Sequence, residues 1–599
     1  MGGDPSMSVG TSDNSSLYGT FSQLSEPRLQ ALALQTRSFT IRDYLAKIVT
    51  GGTHGYGELI GSLRSSHLRV MLKPRVAVLL ARIVAGQRLF PEDFWNSLVI
   101  YECLVRLYGE SVLPQEDQLV YLDLLDRAGR ADDVGAAVES LRVAQHSPVD
   151  AAALVANAAL TRNGAGSEEW LKAFNSVLSM DGLAPLTLSP GTAPVLDRLE
   201  STSAAASVDG PLVTVVLTTW NPGPWLWTAV RSLTQQTYGN QEILVMDDSS
   251  GPQFEPLLNC LLSMDSRIRV ITSRENQGTY ASRNAAVREH ARGVYVTIQD
   301  DDDWSHPERI ERQVSFSESQ GLALGMCRAA RVTEDVRFVR RASTFIRRGY
   351  PSTMIARATF SEHGYWDPVR RNSDAEYIRR VHRAGKLTRD QGRAPLMLQR
   401  DRDGSLSSAE VWEGYSEQSR RWQNWLSAEW HDRSVAIGTS IYMGAGTGLA
   451  RPYAAPLGLK QSKQTVIETR VNSLIIGDCA LGNPNEARII ALAEEQLSEG
   501  KTVGLLHVDG LRPLAKTVSK EMAALTRTSG VELLSWSDET VADIAHIVDA
   551  DALALCDSVQ SVVSARCAVM HSSADNVDDL VVNLLHLDSS LQITSIARG

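Results

Sequence analysis

Apolar residues recur at helical spacing along the first third of the chain. Between residues 27 and 185 they fall three or four positions apart, as in Leu119–Leu125, and short polar breaks separate the segments. The pattern predicts stacked helical hairpins over residues 26–184, preceded by a Ser- and Gly-rich disordered tail at residues 1–25. We find no fixed repeat period in this region, so the pattern does not establish a solenoid.

The pattern changes at Leu212, where apolar runs of strand length alternate with helices. Four strands and two helices are predicted, namely Leu212–Thr218, Trp225–Gln235, Ile243–Met246, Ile268–Thr272, Thr279–Ala291 and Val294–Ile298. Strands that alternate with helices predict a mostly parallel, doubly wound sheet, here over residues 211–430. Such sheets bind ligands at the carboxyl ends of their strands, and the acidic clusters Asp247–Asp248 and Asp300–Asp303 stand at such ends.

A second α/β pattern begins near residue 465. Its predicted elements are Val471–Ile476, Asn485–Leu497, Thr502–Val508, Leu514–Leu525 and Val531–Leu534. This βαβαβ order predicts a smaller Rossmann-like α/β domain over residues 465–599. The loop Gly477–Asn483 after its first strand is neither GxGxxG nor a P-loop, which favours a non-catalytic docking module over a second active site. The Pro- and Ser-rich residues 185–210 predict a linker.

Composition narrows the class of protein. The 599 residues carry 59 Lys and Arg against 70 Asp and Glu, a formal net charge of −11, which disfavours a nucleic-acid binder. Six cysteines without CxxC spacing favour a reducing compartment over a disulfide scaffold. The amino terminus lacks the features of a signal peptide, and we find no apolar run long enough to span a membrane. A cytoplasmic protein without a transmembrane span is expected.

The four consecutive carboxylates of Asp300–Asp303 carry the first candidate chemistry. Adjacent carboxylates repel one another, and Mg²⁺ or Mn²⁺ is commonly held by one or two carboxylates together with substrate phosphates. Alternate residues of an extended segment point in opposite directions, so one carboxylate can hold a metal while its neighbour holds a ribose hydroxyl. The alternative is a solvated acidic turn that caps the helix beginning at Pro307. The pair Asp247–Asp248, at the end of a neighbouring strand, favours the metal site.

Five blocks of the central segment, in their order and spacing, resemble family 2 glycosyltransferases of the GT-A fold. They lie within residues 210–405 and comprise Val213–Asn221, Ser232–Tyr238, Glu242–Ser249, Asn276–Asn284 and Gly293–Arg309. The resemblance implies a central GT-A doubly wound domain between the helical region and the Rossmann-like domain. It also implies a metal-dependent, inverting transfer of a sugar from a nucleotide-diphosphate donor, UDP favoured, to a hydroxyl of a cell-surface or capsular-type glycan or related acceptor.

The same resemblance implies roles in binding the donor base. Thr218 would contact the base, Trp220 would stack on it and Asp248 would hydrogen-bond to it. Arg283 and Asn284 would support the donor site from a neighbouring helix. Ordinary helix-surface polarity is the alternative for Asn284.

It implies further roles around the diphosphate. Asp302, together with Asp300, would bind the Mn²⁺ or Mg²⁺ ion that bridges the diphosphate. Asp301 or Asp300 would hold the ribose. The ion would stabilise negative charge on the departing nucleoside diphosphate, which is the role of a Lewis acid.

The family's catalytic base is an acidic residue in a later block, which Asn372–Val381 matches. Asp374 is the candidate for the base that deprotonates the acceptor hydroxyl, and Glu376 is the second candidate. The alternative for Asp374 is a helix cap shared with Ser373. The amphipathic pattern of this helix predicts that Arg380 faces outward.

Residues 328–402 form an arginine-rich segment. It contains 18 Lys and Arg against 8 Asp and Glu, a net charge of +10 in a chain whose total is −11. A positive field here would suit a phosphorylated acceptor, a lipid-diphosphate carrier or peripheral contact with an anionic inner membrane face. The alternative is internal pairing with the acidic helical region. The helical and C-terminal domains would position the acceptor or protein partners.

Two other functions are alternatives to a glycosyltransferase. A sugar-phosphate nucleotidyltransferase also uses a doubly wound sheet and acidic metal ligands, but that class usually has a Gly-rich basic loop where this chain has Thr219–Trp225. A non-catalytic GT-A scaffold could bind a glycan or a partner enzyme. The intact acidic clusters argue against the scaffold.

Overall fold

The computed structural model describes most of the chain and divides it into two compact units. It describes residues 15–65, 72–201, 210–402, 411–412, 415–445, 451–460, 468–511, 517–557, 559–571, 578–587 and 593–595. One unit comprises residues 1–104, 456–458 and 463–599, and the other comprises 105–455 and 459–462. The region 26–184, expected to form one helical domain, therefore contributes residues to both units.

The amino-terminal region is helical, as its apolar spacing indicates. Pro begins or nearly begins three of its helices, where the missing N–H costs nothing. The Ser167 hydroxyl accepts a hydrogen bond from the Trp170 N–H and caps the last helix. The helices are α1 Ser15–Phe21, α2 Glu26–Thr36, α3 Phe39–Val49, α4 Tyr56–Arg64, α5 Pro74–Gln87, α6 Asp93–Tyr108, α7 Gln115–Arg127, α8 Ala131–Ser140, α9 Val143–His146, α10 Pro148–Asn163 and α11 Glu168–Ser179.

The central segment folds around a nine-stranded mixed sheet. Its helices are α12 Trp225–Thr234, α13 Glu255–Leu262, α14 Thr279–Ala285, α15 Arg309–Gln320, α16 Arg357–His363, α17 Ser373–Arg383, α18 Gln418–Ala436 and α19 Leu457–Lys460. The strands of the segment are β1 Leu186–Leu188, β2 Leu199–Ser201, β3 Val213–Thr219, β4 Gln241–Asp247, β5 Ile268–Thr272, β6 Tyr295–Asp300, β7 Trp304–Ser305, β8 Leu324–Val332, β9 Ile346–Arg348, β10 Met354–Ala356, β11 Thr388–Arg400, β12 Val411–Trp412 and β13 Tyr415–Ser416.

The strand order of this sheet is β5-β4-β3-β6-β10-β8-β11-β7, with β9 added beside β8. The four strands predicted from the apolar runs, β3 to β6, are parallel to one another. Strand β10 then runs antiparallel to both β6 and β8, which makes the sheet mixed. This α/β arrangement fits the predicted GT-A fold.

Both faces of the parallel strands are covered, because alternate side chains enter different cores. Val213, Val215 and Leu217 pack with α12 and α13 on one face. Val216 packs on the other face in a core that also contains Tyr377 of α17. The continuous apolar runs of the sequence follow from this burial on two sides.

The segment expected to be a linker carries ordered structure of its own. Strands β1 and β2 pair antiparallel, with Leu186 opposite Ser201. Leu186, Leu196 and Leu199 are buried, and this apolar anchoring explains why residues 186–201 are ordered. Residues 202–209 of the expected linker lie outside the described residues.

The C-terminal sheet has six parallel strands in the order β16-β15-β14-β17-β18-β19. The predicted helix Leu514–Leu525 is observed over Lys520–Leu525, and residues 514–516 of it lie outside the described part of the chain. The elements are β14 Thr469–Gly477, α20 Glu486–Ser498, β15 Val503–His507, α21 Lys520–Leu525, β16 Val531–Leu534, β17 Thr540–Ile547, α22 Ala550–Leu553, β18 Val563–Met570, α23 Asp578–Leu584 and β19 Ile593–Ser595.

A side chain after α22 explains why the first helices belong to the same unit as this sheet. The Asp557 carboxylate accepts hydrogen bonds from the Phe39 N–H at 2.8 Å and the Thr40 N–H at 2.6 Å. It thereby caps the first turn of α3, where backbone N–H groups lack helical partners. Among the helices of the described residues, none is both long and apolar enough to cross a bilayer.

Candidate active site

The carboxyl ends of β4, β3 and β6 meet at one edge of the central sheet. Thr218 of β3 is in register with Asp300 of β6, and Thr219 is in register with Asp247 of β4. The Asp248 N–H donates to the Thr219 carbonyl at 2.9 Å. The structure thus brings the predicted residues Thr218, Asp248 and Asp300 together.

The Asp248 carboxylate holds the loop that leads into α14. Its Oδ1 accepts hydrogen bonds from the Gln277 N–H at 3.0 Å and the Ser282 hydroxyl at 2.9 Å, and its Oδ2 accepts from the Gly278 N–H at 2.7 Å. Gly278 has φ +92°, a conformation that favours glycine. Asp248 therefore orients the helix that carries Arg283.

Asp300 is paired with Arg283 and lies near the candidate base. The Arg283 Nη2 donates to Asp300 Oδ1 at 2.5 Å. Burial raises the pKa of the Asp300 carboxyl; the Arg283 charge opposes this effect, while the Asp302 and Asp374 carboxylates add to it. The buried Tyr280 ring lies beneath the Arg283 guanidinium, 5.1 Å from it. Sequence reasoning had not identified Tyr280, although it belongs to the Asn276–Asn284 block.

Asp301 and Asp303 are held by neutral donors. The Thr219 hydroxyl donates to Asp301 Oδ2 at 2.6 Å, and the Arg400 N–H donates to Asp303 Oδ1 at 3.3 Å. Burial, with repulsion from Asp302, raises the pKa of Asp301 to about 7. The pKa of Asp303 is also raised, for the same two reasons. Burial and mutual repulsion therefore both oppose ionisation of Asp301 and Asp303.

Arg402 forms an ion pair with Asp302, the carboxylate that the family resemblance assigns to the metal. Its Nε donates to Asp302 Oδ2 at 2.6 Å, and its guanidinium lies 4.4 Å from the Trp225 ring centroid. Both contacts hold the end of β11 against the acidic cluster. Sequence reasoning assigned no role to Arg402.

The two candidate bases have different surroundings. Asp374 lies in the first turn of α17, is partly exposed, and contributes electrostatically to the raised pKa values of Asp300 and Tyr280. Its Oδ1 accepts a hydrogen bond from the Ala375 N–H at 2.9 Å. Glu376, two residues further along the same helix, is fully buried. Asp374 is therefore the acidic residue of α17 that lies near the aspartate cluster.

Glu376 is part of a buried ion-pair network. Its carboxylate accepts from Arg380 at 2.7 and 3.0 Å and contacts His431 Nε2 at 2.9 Å. Although burial opposes its ionisation, the Arg380 and His431 interactions hold the pKa of Glu376 at about 2. The expectation that Arg380 faces outward is wrong, because Arg380 is fully buried beside Glu376.

Trp220 and Asn284 lie in contrasting settings. Trp220 follows β3 and exposes 37% of its surface, so its ring is accessible to a ligand. Asn284 is buried, and its side-chain amide donates to the Trp366 carbonyl at 2.8 Å and accepts from the Trp366 N–H at 3.1 Å. Asn284 thus fixes the segment before α17 and contributes no accessible polar group in this conformation.

Two arginines of the arginine-rich segment pair with helical residues of the same unit. Arg337 forms an ion pair with Asp126, and Arg340 Nε lies 3.2 Å from Asp123. The Asp150 carboxylate accepts from the Phe345 N–H at 2.8 Å. Internal pairing, the alternative weighed for this segment, therefore accounts for part of its charge.

Within the described residues, no group of three or more His, Cys, Asp or Glu side chains is arranged to hold a metal ion. Asp302 and Asp300 instead face the basic groups Arg402 and Arg283. The edge thus combines buried carboxylates, an accessible aromatic ring and a nearby partly exposed carboxylate on α17. These groups can accept hydrogen bonds from hydroxyl groups, stack on a planar ring and accept a proton.

Comparison with known proteins identifies the class. Residues 214–378 match the family model of Glycosyl transferase family 2. An uncharacterised glycosyltransferase of Haemophilus influenzae is 30% identical over 106 residues, 18% of this chain and 42% of that protein. One of Methanocaldococcus jannaschii is 37% identical over 114 residues, 19% of this chain and 39% of that protein. Bacillus subtilis TuaG, whose name refers to teichuronic acid biosynthesis, is 29% identical over 125 residues, 21% of this chain and 49% of that protein.

Solved structures show weaker similarity. S. aureus TarS in complex with UDP-GlcNAc has a TM-score of 0.30 and 16% identity, covering 35% of this chain and 63% of that chain. The chain spans 39% to 49% of the length of the three relatives. The resemblance to family 2 glycosyltransferases is confirmed over the central segment. The predicted class, a family 2-like glycosyltransferase, is confirmed for this segment.

Proposed function

We propose that the protein is a metal-dependent, inverting glycosyltransferase that uses a nucleotide-diphosphate sugar, with UDP favoured as the nucleotide. The observation that carries the proposal is the edge where Asp300–Asp303 lie beside Thr218 and near Asp374. The match to family 2 covers every residue of this edge. The acceptor would be a hydroxyl of a cell-surface or capsular-type glycan, a reading that the name of TuaG favours.

The donor nucleotide would lie across the ends of β3 and β6. Trp220 is accessible enough to stack on the base, and Thr218 would contact it from the strand end. Asp248 would act through the loop it holds or through a direct hydrogen bond after that loop moves. Asp301 or Asp300 would hold the ribose, with Arg283 orienting Asp300.

Asp302 and Asp300 would hold a Mn²⁺ or Mg²⁺ ion. Carboxylate oxygens are the ligands these hard cations prefer. Burial, with repulsion from Asp302, raises the pKa values of Asp300 and Asp301, and a bound cation would oppose both effects. Arg402 must leave Asp302 for the ion to bind there. A bound ion would supply Lewis-acid stabilisation of the departing diphosphate.

Asp374 would accept the proton of the acceptor hydroxyl. Its carboxylate is partly exposed and lies near Asp300, whereas Glu376 is committed to Arg380 and His431. A general base must reach the acceptor, and partial exposure permits this. We therefore assign the base to Asp374 and a structural role to Glu376.

The test is calorimetric titration of UDP and GDP, each with and without Mn²⁺ or Mg²⁺, into the wild type and Asp302→Asn. Glu318→Gln, on the exposed face of α15, is the matched control. We expect metal-dependent UDP binding in the wild type and the control, and loss of that dependence in Asp302→Asn. A panel of UDP-sugars would then identify the donor by hydrolysis.

The rival functions predict other results from the same titration. A non-catalytic scaffold would bind no nucleotide with any metal, and that result would refute the glycosyltransferase. A sugar-phosphate nucleotidyltransferase would form a nucleotide-sugar from a nucleoside triphosphate and a sugar phosphate. We expect no such product.

We further infer that residues 465–599 form a Rossmann-like domain. The all-parallel strand order, which places β14 between β15 and β17, supports this inference. The domain boundaries at residues 25, 184, 210 and 430 stay predictions. The cytoplasmic location, a peripheral contact with the inner membrane face and the binding of protein partners also stay predictions.

A further inference from the structure

Three arginines of the central unit surround a single carboxylate. Arg331 Nη1 lies 3.3 Å and Arg341 Nη2 lies 3.0 Å from Asp401 Oδ1. Arg347 is the third member of this arginine cluster, and it is also attracted by Asp401. Asp401 is thus shared by at least two guanidinium groups. The ion pairs of Arg337 and Arg340 with helical residues do not include Asp401.

Strand pairing explains how Arg347 joins the cluster. In the antiparallel pair of β8 and β9, Arg347 stands opposite Ala329 and Arg348 stands opposite Arg328. Because side chains alternate along a strand, Arg347 projects on the same face as Ala329 and, two residues on, Arg331. Arg348 projects on the other face and pairs with Asp390 at 2.5 Å.

Burial and neighbouring arginines both disfavour the positive charge of Arg347. Among the described residues, its guanidinium has no hydrogen-bond or ion-pair partner. Burial, followed by repulsion from Arg331 and Arg341, lowers the pKa of Arg347 to about 10. A side chain held against both desolvation and like charges is a frequent mark of a binding site, where a ligand supplies the missing partner.

The arginine cluster adjoins the candidate active site. Asp401 lies between Arg400, whose N–H donates to Asp303, and Arg402, whose Nε donates to Asp302. Arg331 is close enough to lower the pKa values of both Asp300 and Asp303. A ligand bound at the cluster would therefore extend toward the transfer site.

The shape of the cluster favours a single chain over a flat surface. The side chains of Arg331 and Arg341 expose only 8% and 19% of their area, so a bilayer face cannot reach them. Tyr350, 40% exposed, lies near enough to Arg347 to affect its pKa. An accessible aromatic ring beside recessed guanidinium groups suits a sugar chain that carries oxyanions.

Resting on the proposed glycosyltransferase function, we propose that Arg331, Arg341 and Arg347 form an acceptor subsite for an anionic glycan. The guanidinium groups would bind a phosphodiester or carboxylate oxyanion of the acceptor chain, in competition with Asp401. The bound chain would then present a neighbouring hydroxyl to Asp374. The arginine cluster thus selects for charge along the acceptor and takes no part in binding the donor nucleotide.

The test compares three oligomers of matched length in titrations of the full-length protein. These are a phosphodiester-linked glycerol oligomer, oligogalacturonate and a neutral maltooligosaccharide. The double variant combines Arg341→Gln and Arg347→Gln. The matched control is Arg348→Gln, which lies on the other face of β9. We expect the double variant to lose roughly tenfold or more in affinity for one or both anionic oligomers, since hydrogen bonds to charged groups contribute strongly. Which oligomer binds will distinguish phosphate from carboxylate.

Arg348→Gln and the neutral oligomer serve as controls for the variant and for the ligand charge. Arg348→Gln is expected to bind the anionic oligomers as the wild type does, and the maltooligosaccharide is expected to bind all three proteins equally. Arg347→Gln alone serves if the double variant does not fold. Its thermal midpoint is expected to equal or exceed that of the wild type, because like-charge repulsion is relieved.

Nucleotide titrations on the same samples separate this inference from the proposed function. If the wild type binds no nucleotide, the proposed glycosyltransferase function is overturned, and the proposed acceptor subsite is overturned with it. Wild type that binds nucleotide but neither anionic oligomer would overturn the subsite alone. Equal affinity of the double variant and of Arg348→Gln for the anionic oligomers would also overturn the subsite alone. Binding to anionic phospholipid vesicles that the double variant abolishes, without oligomer binding, would assign the cluster to a lipid surface instead.

Discussion

The carboxylates of the candidate site differ in their hydrogen-bond and ion-pair partners. Asp302 is paired with Arg402, and Asp301, which receives a hydroxyl hydrogen bond from Thr219, has a pKa raised to about 7. Asp374 lies at a helix start with one backbone hydrogen bond. Sequence alone cannot separate these carboxylates, since their partners come from segments up to 100 residues away.

At this scale, Asp374→Asn tests the assignment of the base. We expect kcat to fall by about 10² to 10⁴-fold, the usual contribution of a general base, while donor binding and stability stay unchanged. Asn can still accept the Ala375 N–H hydrogen bond, so the helix start is preserved. Single-turnover kinetics and calorimetry measure these effects separately.

The exposed acid Asp335 supplies the control for this prediction. Asp335→Asn is expected to keep wild-type kcat. If Asp374→Asn also kept it, the base would have to be another group. A parallel loss of thermal stability would indicate the capping role instead.

Among the elements, α17 combines a candidate base at its first turn with a buried network one turn further. Its apolar pattern predicted the helix correctly but placed Arg380 outside. Burial of Arg380 depends on Glu376 and on the carbonyls of His363 and Tyr365, which accept its hydrogen bonds at 2.8 and 2.7 Å. A helical period reports which face is polar and not whether that face meets solvent.

The element-scale prediction concerns Glu376→Gln. Removing one partner of a buried pair leaves the Arg380 charge uncompensated, so we expect a loss of about 3 to 5 kcal/mol of unfolding free energy at neutral pH. Urea denaturation measures it. Glu362→Gln, which removes an exposed pair with Lys386, is expected to leave the midpoint unchanged.

The pH dependence of this contribution has a defined sign. The folded pKa of Glu376 is about 2, below its ordinary value of 4.5. Its contribution is therefore fully present above pH 4.5 and is lost as pH falls toward 2. Wild type and Glu376→Gln should converge in stability over that window. Curves that stayed parallel would contradict the assigned network.

At the scale of the whole molecule, contacts between residues far apart in sequence determine which compact unit a segment belongs to. Residues from 105 onward share a unit with the central sheet, where Asp126 and Asp123 pair with Arg337 and Arg340. In the same unit, Asp367 is paired with Arg451. These partners lie outside the 211–430 segment expected to fold as the GT-A domain.

The corresponding prediction compares two fragments. Fragment 109–462 keeps these pairs, and we expect it to unfold cooperatively and to bind UDP with metal. Fragment 211–430 leaves Arg337, Arg340 and Asp367 without their charged partners, and we expect it to be aggregated or only partly folded. Circular dichroism with urea titration, followed by calorimetry, measures both. Cooperative folding of the shorter fragment would show that the sequence-based boundary was sufficient.

The sequence by itself determined the parallel strands β3 to β6 and the acidic residues at their carboxyl ends. Both follow from local periodicity, because a strand buried on two sides must be continuously apolar. It also determined the resemblance to family 2 through five blocks in order. Strands β8 and β11 were not indicated, because arginines and other polar residues interrupt their apolar pattern.

Only the tertiary structure decided which groups meet. The contact of Arg402 with Asp302, the gathering of Arg331 and Arg347 around Asp401, and the burial of Arg380 each join residues through strand pairing or helix packing. Electrostatic energies depend on distance and burial, which sequence spacing does not encode across different elements. The residue types thus indicated the chemistry of the candidate site, whereas its ion pairs and burial depend on the tertiary structure.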